Sequence, residues 1–317
     1  MLDDYQQVAA TYAAWDSLGA QEVTFLAEHL GDADGIVAAL EPYDVVVAMR
    51  ERTAFTADVL DRLPNLGLLV TTGPANVAID VAAAHRRGVT VSGTGGVSPS
   101  TPTVEMTWGL IHALTRHIPA EDRAVREGGW QHTVGRDLFA RRLGVVGLGG
   151  LGRPVATVGL AFGMDVVAWS ENLDPDEARA HGVTPVGKRE LLETSDVVTI
   201  HLKLSERTTG LIGRDDLGAM KPTALLVNTS RGPIVDEDAL VAALHAGTIG
   251  GAGLDVFGTE PLPADSPLRS APNTVLTPHL GYVTEGTYEV FYRDAVEDIR
   301  AWADGSPMRE LGPDDGA

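Results

Sequence analysis

The stretch "GVVGLGGLGRPVATVGLAFGMDVVAWSENL", residues 144–173, decides how the rest of the chain is read. A short apolar run reaches Gly147, a Gly-x-Gly-x-x-Gly pattern continues through Gly149 and Gly152, and a helical stretch leads to a second apolar run. The first glycine permits a tight turn and the second lets backbone approach a pyrophosphate. The third allows close packing of helix on strand. The helix then turns its unpaired N–H groups toward phosphate. Glycines alone also cap and turn, so the weight rests on the strand, helix and second strand around them. That second strand ordinarily ends in an acid that grips the ribose hydroxyls and repels a 2′-phosphate. Here it ends in Ser170, then Glu171 and Asn172, and the discriminating acid is missing. No arginine follows to pair a 2′-phosphate, while Lys203 past the next strand would favour one. The balance leans to NAD(H) and leaves NADP(H) open.

The fingerprint lies mid-chain. Apolar runs at 44–49, 67–71, 90–92, 143–146, 165–169, 183–185, 197–202, 224–228, 251–256 and 275–277 alternate with helical patterns. Continuous apolar strands separated by helices make parallel sheets of βαβ units. "GTGGVSPSTPTVEM", residues 93–106, breaks the alternation and reads as a crossing, followed by a helix over 104–117. A further helix over 284–303 is long enough to return to the first unit, and the tail "GPDDGA" reads as frayed. The expected architecture is α/β with two Rossmann-like units. A dinucleotide-binding domain, 99–283, is inserted into a flavodoxin-like substrate domain built from 1–98 and 284–317. Ligands in such folds bind at the carboxyl ends of strands, here in the cleft between the units.

With 317 residues the chain exceeds what one core usually organises, which also favours two domains. Lys and Arg number 24 against 44 Asp and Glu, a net charge of −20 that argues against nucleic-acid or anionic-membrane partners. The absence of cysteine excludes disulfides, thiolate metal sites and thiol nucleophiles, and no metal site is expected. "MLDDYQQVAATYAAW" lacks the basic start of a signal peptide, and no apolar run has membrane-spanning length. A cytoplasmic protein is expected.

Three segments past later strands carry chemistry. "LLVNTSRGPIVDEDAL" sets Arg231 beyond 224–228, "GAGLDVFGTEPLP" sets Asp255 near a strand end and Glu260 in the next loop, and "NTVLTPHLGY" sets His279 past 275–277. Reduction of a 2-keto acid needs a hydride and a proton. Imidazole is the best proton donor near neutral pH. Glu260 would orient the His279 ring and favour its imidazolium form. Arg231 would hold the substrate carboxylate and carbonyl through its planar fork. Asp255 fits a partner for the nicotinamide. Each residue alone also has a turn, core or surface role open to it. Three such groups in consecutive strand-end loops make a site.

At this point the chain resembles the D-isomer-specific 2-hydroxyacid dehydrogenases, a family that includes phosphoglycerate dehydrogenases and glyoxylate/hydroxypyruvate reductases. The resemblance is carried in order by "GVVGLGGLG", "HLKLSERTTGLIG", "VNTSRGPIVDEDAL", "GAGLDVFGTEPLP" and "TPHLGYVTEGTYEVF". It implies Arg231 as the substrate-orienting residue, Glu260 as the carboxylate partner and His279 as general acid/base. It implies cofactor contacts at Thr103, Gly147, Gly149, Gly150, Leu151, Gly152, Ser170, His201, Ser230, Asp255 and Gly281. It implies a small 2-keto or 2-hydroxy acid as substrate, and a homodimer formed through the helix near Glu105–His117 and the arm carrying Trp130. Two positions depart from the family pattern. Gly150 stands where a long side chain, often arginine, is usual. In the substrate loop "TTGPANVAID", Pro74 lacks an N–H, which leaves Gly73, Ala75, Asn76 and Arg231 for substrate binding. In "MRERT", which ends the earlier strand, Arg50 and Arg52 are read as surface residues, with a reach of either into the pocket as the alternative. Formate oxidation is disfavoured because Glu260 stands where those relatives carry glutamine. A corepressor-like scaffold that senses the dinucleotide without turnover is the alternative from another class, and a proton donor argues against it.

Overall fold

A computed structural model describes residues 1–19, 22–96 and 101–313. The chain divides into two compact units, one of Met1–Ser98 with Thr284–Ala317, the other of Pro99–Val283.

In the first unit, β1 (Val45–Ala48), β2 (Leu68–Thr71) and β3 (Thr90–Gly93) form a parallel sheet in the order β1-β2-β3. Val46, Leu69 and Val91 stand side by side in register. Both faces are covered, which is why β1 and β2 read as nearly continuous apolar runs, whereas β3 carries Thr90 and Ser92. The helices Ala33–Leu40, Ala57–Asp61 and Val81–Arg86 each begin at an oxygen-bearing cap, Asp32, Thr56 and Asp80, whose side chain accepts a backbone N–H of the first turn. Leu40, Phe55, Leu60, Leu63, Leu69 and Val91 form the core between them. Two further backbone segments flank the sheet: Leu2 donates to Val47 O on one side, and Leu311 donates to Val91 O on the other. The helix Glu285–Ala303, capped by Thr284, buries Tyr288, Phe291, Tyr292 and Ile299 in this unit.

The second unit is a parallel sheet of β4 (Arg142–Val146), β5 (Asp165–Trp169), β6 (Thr184–Pro185), β7 (Val197–Ile200), β8 (Leu225–Asn228), β9 (Gly251–Leu254) and β10 (Thr274–Leu276). Its order is β10-β9-β8-β7-β4-β5-β6. From β4 the chain goes outward through β5 and β6, then returns to lay β7 on the other side of β4. The loops after β4 and β7 therefore splay apart, and this switch point is where open α/β sheets bind ligands.

The helix expected over 104–117 runs Thr101–Thr115, and a second helix, Ile118–Arg126, follows it. Pro119 is the reason. In a continuing helix its ring would clash with the carbonyl of Thr115, whereas in the first turn of a new helix it is tolerated. His117 takes a left-handed φ of 52° between the two. Part of the expected crossing, residues 97–100, lies outside the described residues, as does the tail from 314 on. Among the described residues no helix is long and apolar enough to cross a membrane.

Candidate active site

The loop after β4 is shaped by what its glycines leave out. Gly147 has φ 98°, and a Cβ on it would lie 2.6 Å from His201 O. A Cβ on Gly152 would lie 1.9 Å from Gly147 O, so the helix Gly152–Ala161 starts directly against the turn. Gly149 and Gly150 face open space. The N–H groups of Gly149, Gly150 and Leu151 have no protein acceptor among the described residues. Open backbone with unpaired donors at a helix start fits a pyrophosphate. Ser170, half-buried, ends β5 in a turn closed by Leu173 N–H on Ser170 O. Past β7, the His201 ring is buried, and burial pushes its imidazole down to about 3. It is therefore a neutral ring, with Nε2 2.9 Å from Thr199 Oγ1 and Nδ1 without a partner among the described residues. A buried, unpaired ring nitrogen beside Gly147 is a second mark of a ligand-facing wall.

The loops after β8, β9 and β10 interlock. Arg231 has extended backbone and donates from Nη1 to Ser230 O, while Asn228 Nδ2 holds Arg231 O at 2.9 Å. A Cβ on the next residue, Gly232, would lie 2.0 Å from Phe257 C, so this loop packs backbone to backbone on the one that carries Glu260. Glu260 Oε1 accepts the Phe257 N–H at 2.9 Å, and its Oε2 lies 2.6 Å from His279 Nδ1. His279 itself has a left-handed φ of 55°, a conformation that β-carbon residues adopt only under constraint. The constraint is visible. Asp255, fully buried, accepts Thr277 Oγ1–H at 2.6 Å and the N–H groups of Leu280 and Gly281 at 2.7 Å each, gripping the loop on both sides of the histidine. Burial pushes the Asp255 carboxyl above its ordinary range, against the downward pull of those three donors. Glu260 and His279 are thus in contact, and Arg231 lies in the adjoining loop.

Several expected ligand contacts are engaged within the protein. Ser230 Oγ donates to Ile200 O, and Thr103 Oγ1 donates to Gly281 O. The reading missed Thr107 and Thr229. Thr107 Oγ1 donates to Thr103 O, so the 2.8 Å contact with Thr229 Oγ1 must be donated by Thr229. The helix Thr101–Thr115 thereby ties the arginine loop to the histidine loop. The only sequence signal was a pair of threonines four apart on one helix face.

The substrate loop belongs to the first unit. Gly73, with φ 95°, donates its N–H to Thr94 Oγ1 at 2.6 Å. The Asn76 side chain is buried and bonds Arg50 O, Thr71 Oγ1 and Ala78 N–H. Both residues build the loop. The N–H groups of Ala75 and Asn76 have no acceptor among the described residues. Arg50 departs from its surface reading: it is partly buried and lies across the loop, its Nη1 3.3 Å from Thr72 O. Among the described residues no cluster of three or more His, Asp and Glu side chains is arranged to hold a metal ion.

Residues 108–281 match the NAD-binding domain of the D-isomer specific 2-hydroxyacid dehydrogenases. A glyoxylate reductase of Korarchaeum cryptofilum is 37% identical over 285 residues, covering 88% of this chain and 82% of that protein. A D-3-phosphoglycerate dehydrogenase of Synechocystis is 37% identical over 279 residues, 86% of this chain, which spans about half of that protein's length (49%). The crystal structure of a phosphoglycerate oxidoreductase from Vibrio cholerae superposes with a TM-score of 0.91 at 36% identity, covering 96% of this chain and 98% of that one.

Proposed function

The chain belongs to the D-isomer specific 2-hydroxyacid dehydrogenase family, and from that premise we propose that it interconverts a small 2-keto acid and a D-2-hydroxy acid with NAD(P)(H). The observation that carries the proposal is the 2.6 Å contact between His279 Nδ1 and Glu260 Oε2. Glu260 is pinned by the Phe257 N–H, so it accepts from Nδ1–H and leaves Nε2 to exchange the reacting proton. In reduction, Nε2–H gives its proton to the carbonyl oxygen; the chemistry a reduced nicotinamide would supply, when bound, is the hydride. In oxidation, the neutral Nε2 takes the hydroxyl proton back. Arg231 holds the carboxylate and carbonyl oxygens through its fork and supplies local positive charge. The N–H groups of Gly149, Gly150 and Leu151 receive the pyrophosphate, and Ser170 the adenosine ribose. The loop after β2 offers the N–H groups of Ala75 and Asn76 to a carboxylate. Asp255, Thr103, Thr107 and Thr229 hold the reacting loops.

The segment after residue 117 exposes Ile118, Val125, Trp130, Val134 and Phe139. An apolar surface on this scale supports a homodimer through that arm.

The experiment follows loss of NADH and NADPH absorbance with glyoxylate, hydroxypyruvate, pyruvate and phenylpyruvate, using His279→Ala as the blank. Turnover by the wild type alone supports the reading. Silence across the panel with cofactor bound would favour the scaffold alternative.

A further inference from the structure

Ser170 leaves the choice of dinucleotide without its usual arbiter, and the structure holds another candidate nearby. Arg153, in the first turn of the helix Gly152–Ala161, turns back over the glycine loop and donates from Nε to Leu148 O at 3.1 Å. Its Nη2 pairs with Glu177 Oε1 at 2.5 Å. Glu177 lies in the helix Pro175–Ala180, which starts just after the turn Ser170–Leu173. One ion pair therefore joins the phosphate loop to the element that follows the ribose-binding position.

The surrounding charge is uneven. Glu171, Asp174, Asp176 and Glu177 all follow β5 within a few residues. Asp174 is occupied by the N–H groups of Asp176 and Glu177, and Asp176 pairs with Arg179. Glu171 is exposed. Arg153 is a basic side chain held at the rim of the glycine loop, and a carboxylate neutralises it.

We propose that the Arg153–Glu177 pair sets the dinucleotide preference: with Glu177 holding Arg153, the ribose end rejects a 2′-phosphate and the protein selects NAD(H). This rests on reading Gly147–Gly152 as the dinucleotide loop. The physical reason is that a 2′-phosphate gains most from a free guanidinium fork, which pairs with two of its oxygens at once. Here it would meet the acids after β5 and an arginine already engaged. Neutralising Glu177 releases the fork while leaving the pyrophosphate donors untouched.

The test is equilibrium binding to the full chain, read by energy transfer from tryptophan to the reduced nicotinamide, so that turnover is not required. Wild type binds NADH more tightly than NADPH. Glu177→Gln tightens NADPH by about tenfold while NADH changes by less than about threefold, the scale of one charge-assisted contact. Adding Arg153→Met to Glu177→Gln removes the gain. An unchanged NADPH-to-NADH affinity ratio in Glu177→Gln overturns the proposal, as does a wild type that prefers NADPH or a gain that persists without Arg153. If the wild type binds neither dinucleotide, the loop reading fails, and this proposal fails with it.

Discussion

Replacing Glu260 with glutamine puts the proposed acid–base pair under a contradiction that the geometry makes explicit. Glu260 Oε1 accepts the Phe257 N–H at 2.9 Å, and Oε2 meets His279 Nδ1 at 2.6 Å. A glutamine has one acceptor and one donor end. If its oxygen stays on the Phe257 N–H, its NH2 faces Nδ1, and the ring must then be neutral with the proton on Nε2. An imidazolium in that arrangement would set two donors against each other. If the amide flips, Nδ1–H is satisfied but the Phe257 N–H faces NH2, a lost backbone bond of about 1–3 kcal/mol. The carboxylate's charge-assisted bond to the imidazolium is worth about 1.5–3 kcal/mol, so either orientation disfavours the proton-donating form by roughly 10- to 100-fold. Keto-acid reduction should fall by that factor. Oxidation should fall too, because the unflipped amide leaves no lone pair on Nε2. Initial rates in both directions from pH 5 to 9, with NADH binding as the control, would read this out. A variant with wild-type rates and the same pH profile would show that Glu260 does no more than cap its loop.

Two further predictions concern the scaffold. Gly152→Ala would drive a Cβ to 1.9 Å from Gly147 O, backbone against backbone with nothing flexible to yield. An overpacking distortion of about 2 kcal/mol corresponds to roughly thirtyfold weaker NADH binding by fluorescence titration, and near wild-type affinity would refute the loop's role. Asp298 is buried, with Oδ1 on Arg309 Nε at 2.8 Å and Oδ2 unpartnered among the described residues. Burial pushes its carboxyl from 3.8 up to about 6 despite the guanidinium, with Asp294 and Glu297 adding to the rise. Between those values the folded state retains a proton that the unfolded chain has released, so stability is lost as pH rises through the window, by about 3 kcal/mol. Urea unfolding at pH 4 and pH 7, which spans most of the window, should show Asp298→Asn losing about 2 kcal/mol less than wild type. Parallel losses would remove Asp298 from the account.

The strands were legible because a parallel sheet covered on both faces favours apolar runs, and β2, β7 and β8 are buried throughout and apolar but for Thr71, Thr199 and Asn228. The candidate site was legible to the level of which loop carries which group. What each polar group bonds was not legible. Asn76 and Ser230 look like ligand-facing side chains in sequence, yet one braces a loop across to Arg50 O and the other closes on Ile200 O. Those acceptors lie 26 and 30 residues away in the chain, and only the assembled sheet brings them near. Ile118–Arg126 was missed for a different reason. Its sequence, "IPAEDRAVR", is mostly polar and carries only Ile118 and Val125 as large apolar residues, neither of them buried, so no core-facing pattern marked it.

A chain with a net charge of −20 that binds anions needs its acids placed where they do no harm. Many of them sit at helix starts. Asp174 caps Pro175–Ala180 and Asp236 caps Glu237–His245, each accepting N–H groups that would otherwise be unpaired, and both first turns carry further acids. The helix Gly152–Ala161 breaks this habit. Its cap is Leu151, no side chain bonds its first N–H groups, and its first turn holds no acid. An acidic cap there would occupy the same donors that a pyrophosphate needs and repel it besides. At this helix start the sequence departs from its acidic pattern, and glycines also clear the space. Selection for anion binding accounts for both departures together, whereas helix stability alone would have favoured an aspartate.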